Sequence, residues 1–179
     1  MLFYGKMTAI SYRYTGSFAT SKDIVHDSFI LIFDKISTYS GEGSIEGWVR
    51  KVVVNKTIDY LRKKKKLEFV SSDEEKYILE NYQEEPIEEQ SGVEWLVSSG
   101  IGQKEILNAI DMLKESYKVV FNLFAIDGYS HKQISEMLSI SEELSRIRLK
   151  RARAILQTLL TELVKDLENK KYLNERTVR

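Results

Sequence analysis

The chain has 179 residues, 27 of them Lys or Arg, 27 Asp or Glu and none Cys, which excludes disulfides, thiolate metal sites and a cysteine nucleophile and makes a reducing cytoplasm the expected setting. No apolar run approaches the roughly 18 residues of a membrane helix, and MLFYGKMTAI lacks the form of a signal peptide, so no membrane insertion is expected. The zero net charge hides a segregation: residues 1–66 hold 12 Lys/Arg against 6 Asp/Glu, residues 67–115 hold 3 against 13, and residues 116–179 hold 12 against 8, a pattern suited to two separate contacts on one nucleic acid.

Phe3, Met7, Ile10 and Tyr14 fall at helical spacing, and Gly16 interrupts them. Ser17 is placed to cap a long helix reaching about Ser37, in which Val25, Phe29, Ile32, Phe33 and Ile36 form an apolar stripe. Its other side shows Asp23, Asp27 and Asp34. Asp23, His26 and Asp27 crowd five residues of one helix and converge poorly for a metal ion, so no metal site is expected there.

Tyr39 to Ser44, YSGEGS, is a Gly-rich turn with Ser44 placed to cap the next helix. It lacks the Lys and the spacing of a phosphate-binding loop. The pattern Ile45, Trp48, Val49, Val52 favours a helix to about Lys66, although Val52-Val53-Val54 is poor helix composition. Lys51, Asn55 and Arg62 share a face, and Arg62 to Lys66 is a run of five cations suited to a phosphate backbone.

From Leu67 to about Gly102 no period persists. The stretch is acidic, holds the single proline, Pro86, and reads as a flexible tether. Trp95, Leu96 and Val97 are the exception and are expected to dock on a lobe or a partner. Helical patterns resume at Gln103–Leu113 and Glu115–Ile126, the second stopped by Asp127-Gly128.

Ser130–Leu138 and the helix begun by Ser141 meet across Ser139-Ile140, the geometry of a helix-turn-helix. Arg146, Arg148, Lys150, Arg151 and Arg153 place five cations in eight residues. Leu149, Ala152 and Leu156 fall on one face, while Arg146, Lys150 and Arg153 take another. The final helix is expected to pass Leu160, with residues 168–179 fraying. The expected fold is all-α: a helical bundle (1–66), an acidic linker (67–102), a helix-turn-helix lobe (103–164) and a polar tail (165–179).

Two blocks, DIVHDSFILIFDKI…GEGSIEGWVRKVVVNKTIDYLRKKKK and LKESYKVVFNLFAIDGYSHKQISEMLSISEELSRIRLKRARAIL, resemble regions 2 and 4 of the extracytoplasmic-function (group IV) sigma factors of bacterial RNA polymerase. FNLFAIDGYSHKQISEMLSIS is similar to versions from the Bacteroidetes. The resemblance covers nearly all of residues 4–162, in order and with the expected linker, which is far more specific than a helix-turn-helix alone.

It implies a specificity subunit of polymerase with no chemistry of its own and no cofactor. Asp23, His26, Asp27, Ile30 and Asp34 would dock on the clamp helices of the beta-prime subunit. Ser40, Gly41, Glu42, Gly43 and Ser44 would take up a base flipped from the melted minus-ten strand, with Lys51 and Asn55 contacting that element and Arg62, Lys63 and Lys64 meeting phosphates. Ser141, Glu142, Arg146, Ile147, Arg148, Lys150, Arg151 and Arg153 would meet the minus-thirty-five duplex. The beta flap would hold the apolar side of that lobe, the linker would thread toward the RNA exit path, and an anti-sigma factor is an expected partner.

Three positions depart from the family pattern. The usual proline near Glu115-Ser116 is absent, Leu144-Ser145 replaces a common Thr-Val pair, and Ile147 stands where a small polar residue is usual, where it would offer a thymine methyl an apolar contact. Members usually begin further upstream, so a late start or a truncated N-terminus is expected.

The alternative reading is a polymerase-independent helix-turn-helix regulator that dimerises through its N-terminal lobe, which leaves YSGEGS and the basic run after it without a use. An enzyme is not expected, since His26 and His131 belong to different lobes and the Ser, Asp and Glu residues read as caps and surface groups.

Overall fold

The structure is a computed structural model that describes residues 3–64, 75 and 101–177, with side chains through 166. Among them every regular element is helical. In the N-terminal lobe α1 (Tyr4–Thr15), α2 (Phe18–Lys35) and α3 (Ile45–Lys64) pack against one another, and a 3-10 turn, Ile36–Thr38, follows α2. Gly16 ends α1 at φ 63° with its N–H on the Tyr12 carbonyl, and the Ser17 hydroxyl accepts the Thr20 N–H to start α2.

Met7, Val25, Ile32, Val49 and Val53 form the core of this lobe. On α2 the buried line is Ser21, Ile24, Val25, Ser28 and Ile32. Its serines let neighbouring helices approach closely and spend their hydroxyls on the carbonyls of Ser17 and Ile24. The expected apolar stripe is corrected in part: Phe29 is half-buried, Phe33 is 72% exposed and Ile36 is also exposed. Phe33 is rotated off the Val25–Ile32 line, and Ile36 lies past the end of α2. Val53 and Val54 are fully buried in α3, so burial of about 2 kcal/mol per side chain outweighs their weak helix propensity.

The C-terminal lobe contains α4 (Gln103–Asp111), α5 (Glu115–Phe121), a π-helical turn (Asn122–Ile126), α6 (His131–Leu138) and α7 (Glu142–Thr177). Ala109, Ile110, Leu113 and Tyr117 pack against Ala152, Leu156 and Leu160 of α7. The π turn is where an uninterrupted helix was expected. The Asp127 N–H reaches back five residues to the Asn122 carbonyl before Gly128 turns the chain at φ 74°. The backbone of α7 stays helical through Thr177, across the stretch expected to fray.

The helix-turn-helix is built by reciprocal caps. The Ser130 hydroxyl accepts the Gln133 N–H while the Gln133 side chain accepts the Ser130 N–H. Ser139 takes the left-handed conformation (φ 55°, ψ 47°), and the Ser141 hydroxyl caps α7 through the Leu144 N–H at 3.1 Å.

The two lobes are in contact. One apolar cluster joins Tyr14, Val54, Ile58 and Leu61 to Val119, Val120, Leu123, Ile134, Leu138 and Leu149. Apart from Glu75, Ile101 and Gly102, the linker expected at 67–102 lies outside the described residues, as do Trp95, Leu96, Val97, Lys65 and Lys66.

Candidate nucleic-acid interface

The loop between α2 and α3 is shaped by two left-handed glycines, Gly41 (φ 79°) and Gly43 (φ 75°). The Tyr39 hydroxyl donates to the Gly43 carbonyl at 2.7 Å, closing the loop on itself, and the Ser44 hydroxyl accepts the Gly47 N–H at 3.0 Å to start α3. Ser40, Gly41, Glu42, Gly43 and Ser44 are all exposed. Trp48 lies 5.8 Å from the Tyr39 ring, giving the loop an aromatic floor. Lys51 and Asn55 follow one turn apart on α3, both exposed, and Arg62, Lys63 and Lys64 extend the same exposed stretch. Arg62 is already engaged, donating to the Ser139 hydroxyl in the helix-turn-helix at 3.0 Å.

On α7 the outward stripe is Arg146, Lys150 and Arg153, at spacings of four and three. Ser141 is exposed and Glu142 half-buried, and the Glu142 carboxylate meets Arg146 at 3.4 Å. Arg153 lies over the Phe124 ring. Arg151 is half-buried and donates to the Tyr117 hydroxyl, so it braces α7 on α5.

Two residues expected at the DNA are corrected in this arrangement. Ile147 is 3% exposed and Arg148 is 0% exposed. Leu144, Ser145, Arg148 and Leu149 lie on a broad buried arc of α7, so Ile147 joins the core. The Arg148 guanidinium meets Glu75 in a bidentate pair, Nε to Oε1 at 3.1 Å and Nη2 to Oε2 at 3.0 Å.

His131, at the start of α6, is held by the Ser145 hydroxyl at 2.8 Å and stacks on Phe124 at 4.5 Å. Burial, aided by Arg146 and Arg153, lowers its pKa to about 4, so it is neutral at pH 7. Motif reading assigned no role to this histidine.

On α2, Asp23, His26, Asp27, Ile30 and Asp34 are all exposed along one face. Phe33 and Ile36 lie beside them and widen it into a mixed acidic and apolar surface. Their sequence signal was present, but helical spacing assigned them to the core. Among the described residues no helix is long and apolar enough to cross a membrane.

Asp127, read from the sequence as a helix stop, has contacts that sequence reading missed. Its side chain is 1% exposed and takes hydrogen bonds from Arg13, Tyr14 and Arg50, all in the other lobe. Burial and the neighbouring Asp127 carboxylate push the Tyr14 phenol far above its ordinary value, and the same two causes raise Tyr129.

Residues 2–67 match the family model Sigma-70 region 2, and residues 103–156 match Sigma-70, region 4. The two matches, in that order, take up most of the chain. The chain belongs to the sigma-70 family.

Among curated relatives, the ECF RNA polymerase sigma factor SigW of Bacillus subtilis is 25% identical over 166 residues, covering 90% of this chain and 87% of that protein. The ECF RNA polymerase sigma-E factor of Escherichia coli is 24% identical over 161 residues, covering 89% and 83%. SigE of Mycolicibacterium smegmatis is 24% identical over 153 residues, and there the match takes 86% of this chain but 56% of the relative. The sigma factor RpoE of Bartonella quintana, solved in complex with the anti-sigma factor NepR, shares the fold with a TM-score of 0.52 at 16% identity, covering 89% of this chain and 92% of that one. In this sigma factor the glycine loop and α3 therefore belong to region 2 and the helix-turn-helix to region 4, while α7 continues past the region 4 match.

Proposed function

We propose that this protein carries RNA polymerase core to specific promoters, region 2 melting and reading the minus-ten element and region 4 reading the minus-thirty-five element. The observation that carries the reading is the pairing, in one chain, of an outward Arg146, Lys150, Arg153 stripe on a helix-turn-helix with an exposed glycine loop followed by Lys51, Asn55 and the basic end of α3. Phosphate contacts from Arg146, Lys150, Arg153 and Arg62–Lys64 supply affinity that falls steeply with salt, and side chains turned to base edges supply sequence choice. Single-stranded bases enter the glycine loop, where two left-handed glycines leave the backbone uncovered beside Trp48.

The acidic face of α2 with Ile30 and Phe33 beside it is the surface for core polymerase, and the beta flap takes apolar surface of region 4. The work is binding, without a reaction of its own, in the cytoplasm where polymerase acts. An anti-sigma factor is the natural regulator, by analogy with the partner of RpoE.

Minus-ten and minus-thirty-five elements lie roughly 80 Å apart on straight B-DNA at about 34 Å per turn. Arg62 and Ser139 are 3.0 Å apart here, so both elements are engaged only after the lobes separate. The test is reconstitution with core polymerase lacking sigma: the chain binds core and directs promoter-specific transcripts, and loss of both properties overturns the reading.

A further inference from the structure

The His131 ring ties together the three parts of the helix-turn-helix lobe that carry its outward cations. Nδ1 shares a hydrogen bond with the Ser145 hydroxyl of α7 at 2.8 Å, and the ring stacks on Phe124 of the π turn with centroids 4.5 Å apart. Phe124 also carries the Arg153 guanidinium, 5.9 Å from its ring centroid, and Ser145 is followed at once by Arg146. The two neighbours that fix His131 are therefore the ones that seat the first and last cations of the stripe. Ser145 is fully buried, so without its hydroxyl Nδ1 would lose its partner in a place that water does not reach.

The other ring nitrogen, Nε2, is buried with no hydrogen-bond partner among the described residues. Either tautomer spends Nδ1 on Ser145 and leaves the ring neutral, so one added proton completes both N–H groups and charges it. The charges set around the ring on α7 are Arg146 and Arg153, with Glu142 held by Arg146 and Glu143 turned to the Ser141 cap. Its own helix adds Lys132 and Glu136, both exposed. On the π turn Asp127 is spent on Arg13 and Arg50, and α3 reaches α6 through Arg62 at Ser139. Burial first, then Arg146 and Arg153, keep the imidazole neutral at pH 7. A phosphate drawn to either arginine cancels its repulsion and brings an anion of its own.

We infer that His131 is a positioning residue of the DNA-binding face: with Ser145 and Phe124 it backs Arg146 and Arg153, and its ring takes up a proton when duplex phosphates neutralise those two arginines. The inference rests on the promoter-binding reading and adds to it a residue that the reading did not use. Linkage makes the effect reciprocal, since whatever DNA does to the proton, the proton does to DNA. Region 4 therefore grips duplex more tightly in mild acid than its arginines alone would.

The chain has two histidines, so the imidazole proton signals of the full chain are read one by one in an NMR titration, with His131→Gln assigning them. The probe is a short random-sequence duplex at low salt. On adding duplex the His131 midpoint rises by about one pH unit, the size of effect a neighbouring charge produces, while His26, exposed on the acidic face of α2, moves less. The same shift makes the parent gain about twofold more duplex affinity than His131→Gln between pH 7.5 and 5, read by fluorescence anisotropy. Carboxylates that titrate in this range act on both proteins and cancel in the comparison. Arg146→Gln, which removes one of the coupled charges, gives a smaller rise of the His131 midpoint. The parent titration decides the matter if either variant does not fold. A His131 midpoint unmoved by bound duplex, or parallel pH profiles for parent and His131→Gln, overturns the inference and leaves the promoter reading standing. A chain that binds no duplex at any pH overturns both.

Discussion

Glu75 and Arg148 form a bidentate ion pair in which both side chains are sealed from solvent, 1% and 0% exposed. A residue outside the two family regions thereby holds an arginine of the recognition helix. Replacing Glu75 with Ala removes the bidentate carboxylate from a buried arginine, which costs the packed arrangement about 3–5 kcal/mol, whereas removing both charges with Glu75→Leu and Arg148→Met recovers most of that loss. Thermal melts of the two variants check the difference. A double variant as unstable as the single one contradicts the ion-pair reading.

The outward and inward residues of α7 separate in their effects. Alanine at Arg146, Lys150 or Arg153 leaves the melting temperature near the parent value and weakens duplex binding, with the salt slope falling by about 0.9 for each phosphate contact removed. Ile147→Ala does the opposite, costing about 2–5 kcal/mol of stability because Ile147 packs in the core. Salt-dependent binding and denaturant unfolding, run on the same variants, distinguish the two classes.

His131 makes stability depend on mild acid. Its pKa is near 6.5 in the unfolded chain and about 4 in the folded one, because burial and then Arg146 and Arg153 disfavour the imidazolium. The unfolded state therefore takes up the proton first. The stabilisation is full above pH 6.5 and is lost as pH falls toward 4, by about 2 kcal/mol once partial solvation of the ring is allowed for. His131→Gln is expected to flatten this part of the stability profile, read by denaturant unfolding at intervals between pH 7 and 4. A parent and variant with parallel profiles would contradict the assignment.

In region 2, Lys51→Ala with Asn55→Ala removes two exposed side chains from α3 and leaves its core, Val49, Val53, Val54 and Ile58, untouched. The expected result is normal binding to core polymerase with loss of permanganate-reactive thymines in the minus-ten strand. Unchanged reactivity would place strand opening elsewhere.

Local signals carried most of the fold. Caps at Ser17, Ser44, Ser130 and Ser141, the stops at Gly16 and Gly128, and apolar periods in each helix follow from interactions within a few residues. The Arg146, Lys150, Arg153 face was legible because helical spacing alone separates it from Leu149, Ala152 and Leu156. Family resemblance added Ile147 and Arg148 to the DNA face, and the Leu149, Ala152, Leu156 spacing did not reach Ile147, whose burial belongs to the broader arc of α7. Arg148 was not legible, because its partner Glu75 is 73 positions away. Asp127 was hidden for the same reason: beside Gly128 it reads as a helix stop, and its role depends on Arg13 and Arg50 in the other lobe. Phe33 and Ile36 misled because an apolar period marks a helix face without saying whether the protein's own core or a partner covers it.

The most direct measurement is multi-round transcription in vitro with core polymerase lacking sigma, using fragmented genomic DNA as template and adding the purified chain. Discrete transcripts starting downstream of a shared pair of minus-thirty-five and minus-ten sequences are expected, lost with Lys51→Ala plus Asn55→Ala. Absence of any chain-dependent transcript, together with tight operator binding in the absence of polymerase, would contradict the sigma-factor assignment and favour a polymerase-independent regulator.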